Sequence, residues 1–209
     1  MRFNATPIST QLKTLSATAI AALTLGLGVA STAYAAPTAS LQAGYTAVKL
    51  DSGFTAALGT LGVTLGTLPR SGVYQGQAYF PIVGGALDLA NAKGEIPHAG
   101  GLTLTAGATR VELSDFVIDT FDAKPVLTGL VVVNDSIVDR IPLFDLILPP
   151  GFTVPIQPAS RRFISLADVG VKLNAAAAGA LNGVFKVTAF AGGFTVGVAK
   201  VQAVTVREH

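Results

Sequence analysis

His98 is the one histidine of this chain away from its C-terminus, the other being His209. An imidazole titrates near neutral pH and ligates metals, so proton transfer and metal binding are the chemistries to test first. It sits in the turn Gly94-Glu95-Ile96-Pro97-His98-Ala99-Gly100-Gly101-Leu102. A histidine base needs an orienting carboxylate such as Asp115 or Asp119, and nothing in the spacing shows that they meet His98. The pairs Asp88 with Glu95 and Glu112 with Asp115 are the carboxylates available for glycoside chemistry. No serine lies in a G-x-S-x-G turn. Asp115, Asp119 and Asp122, and the pair Asp135 and Asp139, are oxygen donors without EF-hand spacing; aspartates bonding their own turns account for them. There is no cysteine, which excludes thiolate metal sites and thiol catalysis. The inventory points away from an enzyme.

The elements around these residues begin after residue 35. Arg2 and Lys13 precede an uncharged apolar run from Leu15 to Ala30, and Ala33-Tyr34-Ala35 offers small residues at the positions a signal peptidase reads. Residues 1–35 are therefore expected to be a secretory leader, and 36–209 a single domain of 174 residues. Of the 14 basic residues, 12 remain after the leader is removed, against 12 acidic ones. A formally neutral chain has no basic stripe with which to hold phosphates, so no nucleic-acid partner is expected. Only 12% of residues are charged and half are apolar, which suits a large core or a sticky exterior. No apolar run long enough to span a membrane follows the leader.

Within that domain, period-two alternation dominates. Ala86–Leu89, Leu102–Thr105 and Arg110–Leu113 read as strands with one buried and one wet face, cut by glycine-rich turns. Val63–Leu68 and Ala78–Val83 read as strands separated by a polar loop from Pro69 to Gly76. In Arg110–Thr120 the buried parity flips between Leu113 and Phe116, which requires a β-bulge near Ser114-Asp115. Leu130–Val133 reads as a strand buried on both faces. Ile137–Leu148 reads as another, with Pro142 at an edge or bulge. Phe152–Arg162 is expected to be an irregular excursion carrying Val154 and Ile156. The stretch from Val48 to Thr64 returns as Val171 to Thr188: each is a strand, an Asp or Asn cap, a short helix and an exit into another strand. The second exit strand is placed at Lys186–Phe190, and the last strand at Phe194–Val206. Two such helices suit plugs at the two ends of the fold. The fold class expected is all-β, an antiparallel sandwich or flattened barrel of about ten to twelve strands with two short helices.

The turn from Gly94 to Leu102, followed by Thr-Arg-Val-Glu-Leu-Ser-Asp-Phe-Val-Ile-Asp from Thr109 to Asp119, resembles the Htaa (heme-transport-associated) domain of exported bacterial proteins. A looser likeness surrounds Ser52-Gly53-Phe54, and the resemblance spans about Val48 to Leu146. It implies a β-sandwich with small helices, a role in the cell envelope or periplasm, and heme as the cofactor. In the family a tyrosine of the first motif is the axial iron ligand and a histidine of the turn supports it. The histidine carries over to His98. The tyrosine position falls near Ala57 or Leu58, so Tyr74 or Tyr79 would have to stand in from another strand, with Phe54 beside the ligand. The expected function is thus an exported, non-enzymatic binding protein for heme or a similar apolar ligand, with an envelope protein as a second class of partner. A structural or adhesive surface protein is the alternative, and a carboxylate-dependent secreted hydrolase a third.

Overall fold

The computed structural model describes residues 38–152 and 163–205. The expected leader, most of the excursion after Phe152 with Val154 and Ile156, and the end of the last strand lie outside them. The chain begins with strand β1 (Thr38–Leu50) and helix α1 (Ser52–Thr60). There follow β2 (Thr64–Thr67), β3 (Gly72–Tyr74), β4 (Gln77–Pro81), β5 (Ala86–Asp88), β6 (Gly94–Pro97) and β7 (Gly101–Ala106). The second half comprises β8 (Thr109–Asp119), β9 (Val126–Val133), β10 (Ser136–Ile147), β11 (Phe163–Leu173), α2 (Ala175–Phe185) and β12 (Thr195–Thr205).

The strands form one antiparallel sheet that closes on itself. Following the pairings, β1, β12, β11, β10, β9, β8, β6 and β5 make a ring of eight, because β5 returns to β1. Two flaps hang from it: β4 and β3 from β1, and β7 and β2 from β8. The expected all-β flattened barrel is what the chain builds. An eight-stranded ring has an interior just wide enough for its own side chains. Phe116, Leu87, Ile96, Leu143 and Val111 fill it, each almost wholly buried.

The bulge in β8 explains how the ring and its flaps share one strand. Register against β9 shifts between Ser114 and Val117, and Asp115 takes φ 49°. Val111 and Leu113 on one side of the bulge, and Phe116 and Ile118 on the other, all point inward as a result. Residues before it pair with β7, and residues after it pair with β6. The corner from β6 to β7, which carries His98, therefore sits at the fork. Gly101 has to be glycine there, since a Cβ would fall 2.1 Å from the Leu113 carbonyl oxygen.

The repeated strand–cap–helix unit is present twice. Asp51 accepts hydrogen bonds from the Gly53 and Phe54 amides, and Asn174 accepts one from Ala176. The placement of the two helices differs from expectation. They do not plug opposite ends: Phe54 and Leu58 of α1 and Leu181 and Val184 of α2 line one common cavity. The reason is the ring, in which β1 and β11 run the same way on either side of β12, so both helices leave at one rim.

Four local expectations are also corrected. The second helix does not exit into a strand: Lys186 turns left-handed at φ 55°, and the Asn182 side chain bonds both the amide and the carbonyl of Phe190. Those backbone groups then need no strand neighbour. The loop Pro69–Gly76 contains β3, hairpinned onto β4 because Gln75 and Gly76 both reach positive φ. The Leu102–Thr105 strand has no clean wet face, since Thr103 is buried over Gly66. Finally, Leu130–Val133 buries Val131 but leaves its neighbours half-buried. Pro142 lies at a register shift of β10, outside the part that pairs with β11, where its missing N–H is harmless.

Candidate functional site

The residues singled out by the sequence fall in three separate places. His98 is inside the wall. It is 4% exposed, its amide donates to the Phe116 carbonyl, and its Nε2 lies 2.7 Å from the Thr46 hydroxyl. Its Nδ1 is buried without a hydrogen-bond partner among the described residues. Burial pushes its pKa down to about 4, and hydrogen bonds with the Phe116 and Ile96 backbone offset only part of that. The ring is neutral at physiological pH. Asp115 and Asp119 do not orient it: Asp115 takes the Ser114 hydroxyl, and Asp119 caps the Phe121 amide.

Phe54 is buried elsewhere, in α1, with its ring 6.4 Å from that of Phe194. Tyr79 and Tyr74 are on the outer surface. In β4, Ala78 and Phe80 point in, so Tyr79 must point out, and Tyr74 on β3 is 66% exposed. The sheet itself separates Tyr79 from His98, because Thr46, the partner of His98, lies opposite Phe80 on the inner face.

That outer surface gathers more than the sequence pattern suggested. Register places Ala47 of β1 between Tyr79 of β4 and Lys200 of β12. Two residues away along β1 on the same face are Tyr45, between Pro81 and Gln202, and Lys49, between Gln77 and Val198. The Tyr45 and Tyr79 rings pack at 6.0 Å, tilted by 54°, and the Tyr45 hydroxyl donates to Gln202. A shallow groove of about 190 Å³ continues beside Tyr45, walled by Gly44, Phe163, Ser165 and Gln202. All three tyrosines of the described residues thus share one face. Tyr45, Lys49 and Lys200 were not singled out beforehand. The alternation Tyr45-Thr46-Ala47-Val48-Lys49 puts two of them on one face, but only pairing across strands adds Tyr79 and Lys200.

The interior is a poor container. One cavity of about 70 Å³ is walled by Thr46, Phe80, Phe116 and other core residues, and the one beneath the helices is about 50 Å³. Sites for small molecules run to roughly 300–1,000 Å³. An open trough of about 670 Å³ lies over Ala123–Pro125 and Asp145–Leu148, with Asp145 already bonded to Asn174. Among the described residues no three His, Asp or Glu side chains gather as a metal site. The carboxylate pairs are engaged separately: Asp88 holds the Ala90 amide and Asn91, and Glu112 is 2.8 Å from Arg110. No helix among the described residues is long and apolar enough to cross a membrane.

No protein-family model and no curated protein sequence matches the chain. Solved structures do match. The C-terminal domain of HtaA from Corynebacterium glutamicum superposes with a TM-score of 0.58 at 16% identity, over 80% of this chain and 99% of that one. The N-terminal domain of the same HtaA gives 0.59 at 15% identity, again over 80% and 99%. Heme binding protein HtaB of that organism gives 0.52 at 11% identity, over 83% and 98%. The chain has the fold of the Htaa domain.

Proposed function

We propose that this chain is an exported, non-enzymatic binding protein of the cell envelope, and that its ligand is a flat apolar molecule of the heme class, taken on the outer face around Ala47. One observation carries this reading: a fold shared with a heme-binding protein puts Tyr45, Tyr74 and Tyr79 together on one outward surface. Phenol oxygens are known ferric heme ligands, so the donor set on that face fits the group. His98 does not fit it. Its ring is enclosed in the wall, one nitrogen faces Thr46, and the cavity beside Thr46 is far too small for a porphyrin. Heme, when bound, would supply the iron that a phenolate completes; Tyr79 and Tyr45 would hold it, Tyr74 would stand at its edge beside Gln77, and His98 would serve the wall. Phe54 would then support the rim rather than the ligand.

Hemin titration tests the proposal directly. A Soret band should form, weaken at least tenfold in affinity in the Tyr45→Phe/Tyr79→Phe double variant, and survive in His98→Gln. A band lost in His98→Gln but kept in the tyrosine variant would reverse the assignment. Export is tested on the secreted protein, whose N-terminus is expected at Ala36. The adhesive reading draws on one observation, the exposure of Ile137 and Val138 at the β9–β10 hairpin. It is preferred only if hemin leaves the spectrum unchanged.

A further inference from the structure

We infer that the outer face around Ala47 selects a planar ligand by its carboxylates, so that binding depends on charge and does not require iron. The inference rests on the outer-face reading and adds what decides affinity there. β1, β3, β4 and β12 contain no acidic residue at all, and their only charged residues are Lys49 and Lys200. Both lysines are exposed, and both lie on the tyrosine side of the sheet.

Their positions are complementary to an aromatic plate with acidic arms. Ala47 has Lys200 directly across on one side and Tyr79 on the other, while Tyr45 and Lys49 flank it along β1. Neighbouring strands are roughly 4.8 Å apart and alternate residues roughly 6.8 Å apart. Two ammonium groups and two phenol rings therefore surround one small, buried residue within the span of a single ring system. Ala47 keeps the centre low, and the tilted Tyr45–Tyr79 pair offers apolar surface. Among the described residues neither lysine forms an ion pair, including with Asp168, which sits in the β11 bulge opposite Lys200. Unpaired ammonium groups beside aromatic rings attract carboxylates and leave room for the ring to stack.

The experiment uses metal-free protoporphyrin IX, its dimethyl ester and hemin, each titrated by fluorescence quenching or absorbance into the wild type and Lys49→Gln/Lys200→Gln. The free acid should bind the wild type, weaken as salt rises, and lose roughly three- to tenfold in affinity in the double variant, with the ester unaffected by either change. Unchanged melting temperature of the variant separates lost charge from lost fold. Equal binding of acid and ester, or equal binding by the variant, overturns the carboxylate selection while leaving a heme-class ligand in place. If hemin binds and the metal-free acid does not, iron carries the affinity and the inference fails. If none of the three binds, the outer-face reading falls as well.

Discussion

A neutral, enclosed His98 makes stability depend on pH. In the unfolded chain the imidazole titrates near 6.5, and in the folded chain near 4. Between those values the unfolded state binds a proton that the folded state refuses, so stability is complete above pH 6.5 and is lost as pH falls toward 4. The full effect is on the order of 3 kcal/mol. Urea unfolding at pH 7, 5.5 and 4.5 should show a steeper fall for the wild type than for His98→Gln; parallel slopes would show that His98 does not set it. Thr46→Val leaves the second ring nitrogen without a partner as well and should cost about 1–3 kcal/mol at pH 7. Phe116→Ala, which empties a side chain packed edge-on against Phe80 at 5.2 Å, should cost about 3–5 kcal/mol by the same assay.

At the scale of elements, the fork in the wall is the sensitive point. β8 serves two partners only because its bulge resets the register, and the β6–β7 corner fits only because Gly101 lacks a side chain. Gly101→Ala should destabilise the protein by about 3 kcal/mol, seen as a lower melting temperature, because the new methyl meets backbone rather than a movable side-chain tip. The helix caps are milder. Asn174→Ala removes the bond to Ala176 and frees Asp145, for an expected loss of about 1–2 kcal/mol in chemical unfolding. Both features were legible in advance, the bulge from the parity flip after Leu113 and the caps from Asp51 and Asn174. Local geometry decides each of them. The strand expected at Lys186–Phe190 failed because one side chain of the preceding helix, Asn182, supplied the bonds that alternation alone would assign to a neighbouring strand.

For the whole molecule, closure of the ring determines where a ligand can go. An eight-stranded circle filled by Phe116, Leu87, Ile96 and Leu143 has no room for a porphyrin, so the proposed ligand would have to be taken on the outside. The sequence by itself determined the period-two strands, the two capped helices, the bulge and the all-β class, since each follows from the chemistry of residues a few positions apart. It also named His98, Tyr74, Tyr79 and Phe54, but it had no means of saying that they lie on different sides of a sheet. Only the tertiary structure decided that, together with the shared rim of the helices and the meeting of Tyr45, Tyr79, Lys49 and Lys200 around Ala47. Inward or outward direction follows from alternation within one strand, whereas neighbourhood follows from register between strands far apart in the chain, such as Ala47 with Lys200, which no local pattern encodes.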